Sequence, residues 1–138
     1  MRITSAALVF LMGLAAAGQE KKDELQGSWK LVEAELAGKK LPTESPVVVL
    51  EMKDGTYTVT GLESPDRGTV KVDPSKTPAT MDITSTEGPT KGRHLPAIYE
   101  RTGDTLRICY DLSNTKYPDA FHTAKDTKLY LATYKREK

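Results

Sequence analysis

Two histidines, one cysteine and a scatter of carboxylates are the side chains in this chain that could serve a reaction or a metal. Imidazole nitrogens and carboxylate oxygens are ordinary zinc ligands, so His94 and His122 with one acid could hold an ion. They stand 28 positions apart, and neither a His-x-His nor a His-Glu-x-x-His pattern sets two ligands on one face. Separate surface histidines are the plainer reading. Glu87, Glu100, Asp111 and Asp119 could supply an acid–base pair, but acids on exposed strand faces are ordinarily just solvated. No Gly-x-Ser-x-Gly elbow is present to raise a nucleophilic serine. The run Gly88, Pro89, Thr90, Lys91, Gly92 slightly resembles a phosphate loop, yet it has neither the Walker spacing nor a helix after it. Cys109 alternates with Arg107 and Asp111 and is expected to face outward as a small sheet residue. As the only cysteine it can form no internal disulfide, which leaves an intermolecular bond or a redox thiol as the sharper alternative. The residues therefore point to no catalytic group, no metal and no cofactor, and to a protein that is not an enzyme.

Binding is the better-supported chemistry. Aromatic rings and flexible thioethers can line a pocket for a small apolar molecule. The candidate ligand-binding set is Trp29, Tyr57, Met81, Ile98, Tyr110 and Phe121. The first five belong to a larger inward-facing list with Leu31, Val48, Leu50, Met52, Val59, Val70, Val72, Ile83, Leu106, Ile108, Leu129 and Leu131. The alternative is that these side chains simply fill a core.

Short strands must position these residues. The alternation predicts eight of them, over residues 28–37, 47–53, 56–60, 69–73, 79–85, 95–101, 105–111 and 127–136. The first changes phase. Trp29 and Leu31 share one face, while Val32, Ala34 and Leu36 share the other, as a β-bulge produces. Asp54-Gly55 is the strongest hairpin signal. Residues 20–26 could form one helical turn ending at Gly27. Residues 112–126, with Tyr117, Pro118 and Phe121, form a segment far longer than a hairpin needs, and are read as a lid over one mouth. Single buried faces suit antiparallel pairing, and eight strands in succession can close so that no edge is left. The fold expected is all-β, an eight-stranded antiparallel up-and-down barrel, with a sandwich as the alternative. A barrel of that size either fills with its own side chains or holds one small ligand.

The chain opens with Arg2, an apolar run over residues 3–14 and then small residues up to Gly18. This is the pattern of a secretory signal peptide. The run is too short for a transmembrane helix, which needs about 20 apolar residues. We expect residues 1–18 to be removed and residues 19–138 to form one domain, exported to a periplasm or beyond the cell, with no stable membrane insertion after cleavage. The chain carries 20 basic and 19 acidic side chains. Loss of Arg2 balances them, which argues against a nucleic-acid partner, since such binding needs concentrated positive charge.

Leu25, Gln26, Gly27, Ser28 and Trp29 ahead of a strand resemble the Gly-x-Trp motif of lipocalins. That resemblance implies a basic residue near the end of the barrel packed across the tryptophan, here Lys135 or Arg136. The wider pattern includes Gly38 to Pro42, Asp82 to Gly92, Ile98-Tyr99-Glu100 and Gly103 to Tyr110. It is similar to a family of small exported lipocalin-like proteins of planctomycetes whose biochemical role is unassigned. The resemblance implies a calycin-type barrel and export, and carries over no catalytic residue. Two readings of function follow. One is a lipocalin-like barrel holding a small hydrophobic ligand in its mouth. The other is a filled barrel that works as a structural or protein-interaction domain.

Overall fold

A computed structural model describes residues 24–138; the expected signal peptide over residues 1–18 lies outside them. Nine strands follow one another: β1 (Gly27–Leu36), β2 (Lys39–Leu41), β3 (Val49–Lys53), β4 (Thr56–Thr60), β5 (Asp66–Asp73), β6 (Ala79–Glu87), β7 (His94–Thr102), β8 (Thr105–Asp111) and β9 (Leu129–Arg136). Among the described residues there is no helix, hence none long and apolar enough to cross a membrane. Of the helical turn expected over residues 20–26, residues 20–23 lie outside the described part, and Glu24-Leu25 form a simple turn.

From β3 to β9 each strand pairs antiparallel with the next, and β1 pairs with both β3 and β9, which closes the sheet. The wall is thus an eight-stranded up-and-down barrel, as the alternation predicts. The short β2 is an addition, folded back on the end of β1 through Ala34↔Leu41. Its turn residues Ala37 and Gly38 both have positive φ, the conformation of a tight type I′ hairpin. Asp54-Gly55 makes the same turn between β3 and β4, as expected. The phase change in β1 is also present. Leu31 faces Tyr134 of β9, but Glu33 faces Thr133, so Val32 is the extra residue of a bulge. Through it both Trp29–Leu31 and Ala34 reach the interior.

Trp29 closes one end of the barrel and is 0 % exposed. Its indole N–H donates to the Leu25 carbonyl at 3.0 Å. The Arg136 guanidinium lies 4.2 Å from its ring centre and donates to the carbonyls of Gln26 and Glu24. Of the two basic residues expected to cross the tryptophan, Arg136 does so, while Lys135 points outward to Thr105. Gly68 is required by close approach, because a Cβ there would collide with the Thr84 carbonyl and the Tyr57 ring.

Two expectations about orientation are corrected. In β9 it is Tyr130, Ala132 and Tyr134 that enter the core, not Leu129 and Leu131. In β7 the inward residues are Ala97 and Tyr99, which places Ile98 between them on the outer face. Both errors have one cause. The outer wall here is not solvated, so apolar side chains occur on both faces and alternation cannot choose between them.

The cover is the long segment after β8, which is a strap around the outside and not a lid over the mouth. It begins at Leu112, the part that touches the interior. Asp111 fixes its first turn by accepting from the backbone N–H groups of Ser113, Thr115 and Lys116 at 3.0, 2.9 and 2.9 Å. The strap then crosses the wall. Tyr117 donates its hydroxyl to Asp82 of β6. The Phe121 ring sits 4.5 Å from the Arg107 guanidinium of β8. Thr123 bonds Glu35 of β1 and accepts from the Gly38 N–H. Under this strap lie Ile98 and Cys109, both buried although both face outward. Cys109 thus has the orientation expected of it but no exposure.

Candidate functional site

Opposite the Trp29 end the barrel is hollow. A cavity of about 400 Å³ opens among the loops that precede β3, β5 and β7. Its wall is built from the inward faces of the strands: Leu31 of β1, Leu50 and Met52 of β3, Tyr57 and Val59 of β4, Val70 of β5, Met81 and Ile83 of β6, Ile108 and Tyr110 of β8, and Tyr130 and Tyr134 of β9. Three of the six candidate ligand-binding residues, Tyr57, Met81 and Tyr110, line it. Trp29 lies beyond it at the closed end, and Ile98 and Phe121 are on the far side of the wall. Residues not anticipated include Tyr130 and Tyr134, hidden by the phase error in β9.

The tyrosines are organised. Tyr110 and Tyr130 stack with ring centres 5.5 Å apart, and the hydroxyls of Tyr110 and Tyr134 share a hydrogen bond of 2.9 Å. Burial pushes both of those hydroxyls well above the ordinary tyrosine pKa, so they are neutral groups on an otherwise apolar wall.

One carboxylate enters this wall. Asp66, the first residue of β5, is 7 % exposed. Three hydroxyls surround it. Ser85 donates to Oδ1 at 2.8 Å, Tyr57 to Oδ2 at 3.2 Å, and Thr90 lies 2.9 and 2.8 Å from the two oxygens. Burial raises the Tyr57 pKa; its bond with Ser85 opposes this, and the charge of Asp66 adds to it. Thr90 comes from the run Gly88 to Gly92, whose place in the molecule is therefore a mouth loop tied to β5. Asp66 escapes a reading of the sequence because Pro65-Asp66 looks like a turn, and nothing local reveals that β5 begins there.

Arg93 stands at the rim and donates to the Leu112 carbonyl at 2.6 Å. Among the described residues, three of the four exposed large apolar side chains surround the same mouth: Leu41 (37 %) and Leu62 (44 %), which line the cavity, and Val47 (48 %) beside Val48.

The other chemistry-bearing residues are occupied elsewhere. Glu87 pairs with Arg67, Glu100 with Arg107 and Asp119 with Lys116, all on the outer surface. His94 contacts Asn114 and Asp82, whereas His122 follows Phe121 on the strap, so the fold does not bring the two histidines together. Among the described residues no group of three metal-ligating side chains is close enough to hold an ion. Burial raises the Cys109 thiol pKa, and a hydrogen bond with the His122 backbone only partly offsets this; a buried thiol of that kind is inert. No protein-family model, no curated protein and no solved structure matches this chain.

Proposed function

We propose that the protein is an exported, lipocalin-like barrel that holds a small hydrophobic ligand in the open end of its interior. The observation that carries this reading is the cavity itself. Its volume of about 400 Å³ falls within the range of ligand pockets, roughly 300–1,000 Å³. A filled eight-stranded barrel has no such space. An apolar engineered cavity of ~150 Å³ accepts one benzene; on that scale this one accommodates a ligand of about sixteen non-hydrogen atoms. The exposed Leu41, Val47 and Leu62 give an apolar molecule a path from the rim to the interior. Export rests on the opening residues, Arg2 and the apolar run behind it.

Native mass spectrometry of protein purified from its own host tests the reading. The expected result is a one-to-one adduct with a small molecule that is lost on denaturation. Bare protein from the host, together with no adduct after incubation with an uncharged naphthalene probe, would favour the filled structural or interaction domain instead.

A further inference from the structure

The cavity lining holds one buried carboxylate, Asp66, and the one basic side chain on that lining, Arg93, makes no ion pair with it. Among the described residues no ion pair reaches the Asp66 carboxylate; Arg67, its neighbour in sequence, points outward to Glu87. Arg93, the basic residue on the rim, is turned to the Leu112 carbonyl. Buried acids are normally paired or bound to a cation, because a carboxylate out of water is otherwise expensive to keep. The three hydroxyls relieve that cost without neutralising the charge. They also do not exhaust the acceptor: two carboxylate oxygens offer about four lone-pair sites, and Tyr57, Ser85 and Thr90 provide three donors. Beside this carboxylate the wall is aromatic and apolar, with the Tyr57, Tyr110, Tyr130 and Tyr134 rings around one space. A cation is favoured against ring faces as well as against the acid.

From this arrangement we infer that the ligand is an organic cation, a primary or secondary ammonium on an apolar body, with the ammonium at Asp66 and the body against the tyrosines. The inference rests on the binding function proposed above and narrows it. An anionic amphiphile would bring its charge next to Asp66 and is selected against. A neutral one would leave the acid unanswered.

Three probes of nearly equal shape separate the possibilities: 4-phenylbutylamine, 4-phenylbutan-1-ol and 4-phenylbutyrate, titrated at pH 7 by calorimetry into the intact mature protein. The amine is expected to bind about ten- to a hundredfold more tightly than the alcohol, as a charge-assisted hydrogen bond in a buried site allows, and the carboxylate most weakly. In Asp66→Asn the amine-to-alcohol ratio should fall to about one. Equal binding of amine and alcohol by the wild type would overturn the inference and leave the hydrophobic-ligand reading standing. Binding of none of the three would overturn both. An amine preference that persists in a folded Asp66→Asn protein would also overturn the inference. If that variant does not fold, nuclear Overhauser contacts in the wild type decide. The methylene next to the ammonium must lie near Thr90 and Tyr57; contacts at the rim or the outer wall would refute the assignment.

Discussion

Replacing Trp29 by alanine should be among the most damaging single changes available to this barrel. The side chain is wholly buried at the closed end. Truncation of a core tryptophan costs about 3–5 kcal/mol in lost transfer energy and residual cavity. Two further terms act here. The indole N–H leaves the Leu25 carbonyl without its donor, worth ~1 kcal/mol. Arg136 loses the ring beneath its guanidinium, worth ~0.5–1 kcal/mol, although it keeps its bonds to Gln26 and Glu24. Some collapse around the site offsets these terms, so we expect a loss of about 4–5 kcal/mol. A domain of this size has about 5–15 kcal/mol in total, so the loss removes at least about a quarter of its stability. Urea denaturation followed by far-ultraviolet circular dichroism is the appropriate assay, since the substitution removes the fluorophore. Trp29→Phe keeps most of the bulk and loses the donor, and should cost about 1–2 kcal/mol. A loss below about 1 kcal/mol for alanine would refute the reasoning, because it would mean that the end of the barrel closes without the tryptophan.

Three more outcomes are expected. Burial alone would raise the Asp111 pKa, but its bonds from Ser113, Thr115 and Lys116 prevail and hold it at about 2, below its ordinary 3.8; a folded-state pKa below the unfolded one stabilises above about pH 4, and that contribution of about 2 kcal/mol is lost as pH falls from 4 to 2. Asp111→Asn should therefore weaken the protein at pH 7 and flatten its stability across that acid window in equilibrium unfolding; an unchanged pH profile would contradict this. Phe121→Ala should lower stability by about 1–2 kcal/mol and leave apolar-probe affinity within about twofold, since Phe121 lies outside the wall; a larger change in affinity would return the strap to the ligand site. N-terminal sequencing of the protein isolated from its own host should begin after residue 17 or 18, and a start at Met1 would contradict cleavage.

The barrel was legible because most of its strands are solvated on one face and buried on the other. Tyr57 and Val59, Met81 and Ile83, and Leu106, Ile108 and Tyr110 all point inward as their alternation requires. The bulge in β1 was legible too, while the basic residue across Trp29 followed only from the resemblance to lipocalins. Legibility ends where the strap covers the wall. There Ile98, Cys109 and Leu131 are apolar and outward, and a period of two has no polar face to mark the phase. The β1–β2 hairpin was hidden by Ala37, a residue that does not advertise the positive φ it adopts. Part of the site was hidden for another reason. Ser85 and Thr90 stand 19 and 24 positions from Asp66 and meet it only because β5 and β6 pair and the loop after β6 folds in, a tertiary fact with no local signature.

If the space inside the barrel is a binding site, filling it must weaken binding of an apolar probe. Fluorescence titration of the uncharged probe N-phenyl-1-naphthylamine into wild-type protein and into Val70→Trp tests it most directly, since Val70 faces the cavity and an indole there would occupy it. The wild type should show saturable one-to-one binding with a blue-shifted emission, and the folded variant an affinity at least about tenfold weaker. Binding of equal affinity in both proteins, or no saturable binding in the wild type, would contradict a binding site in that space.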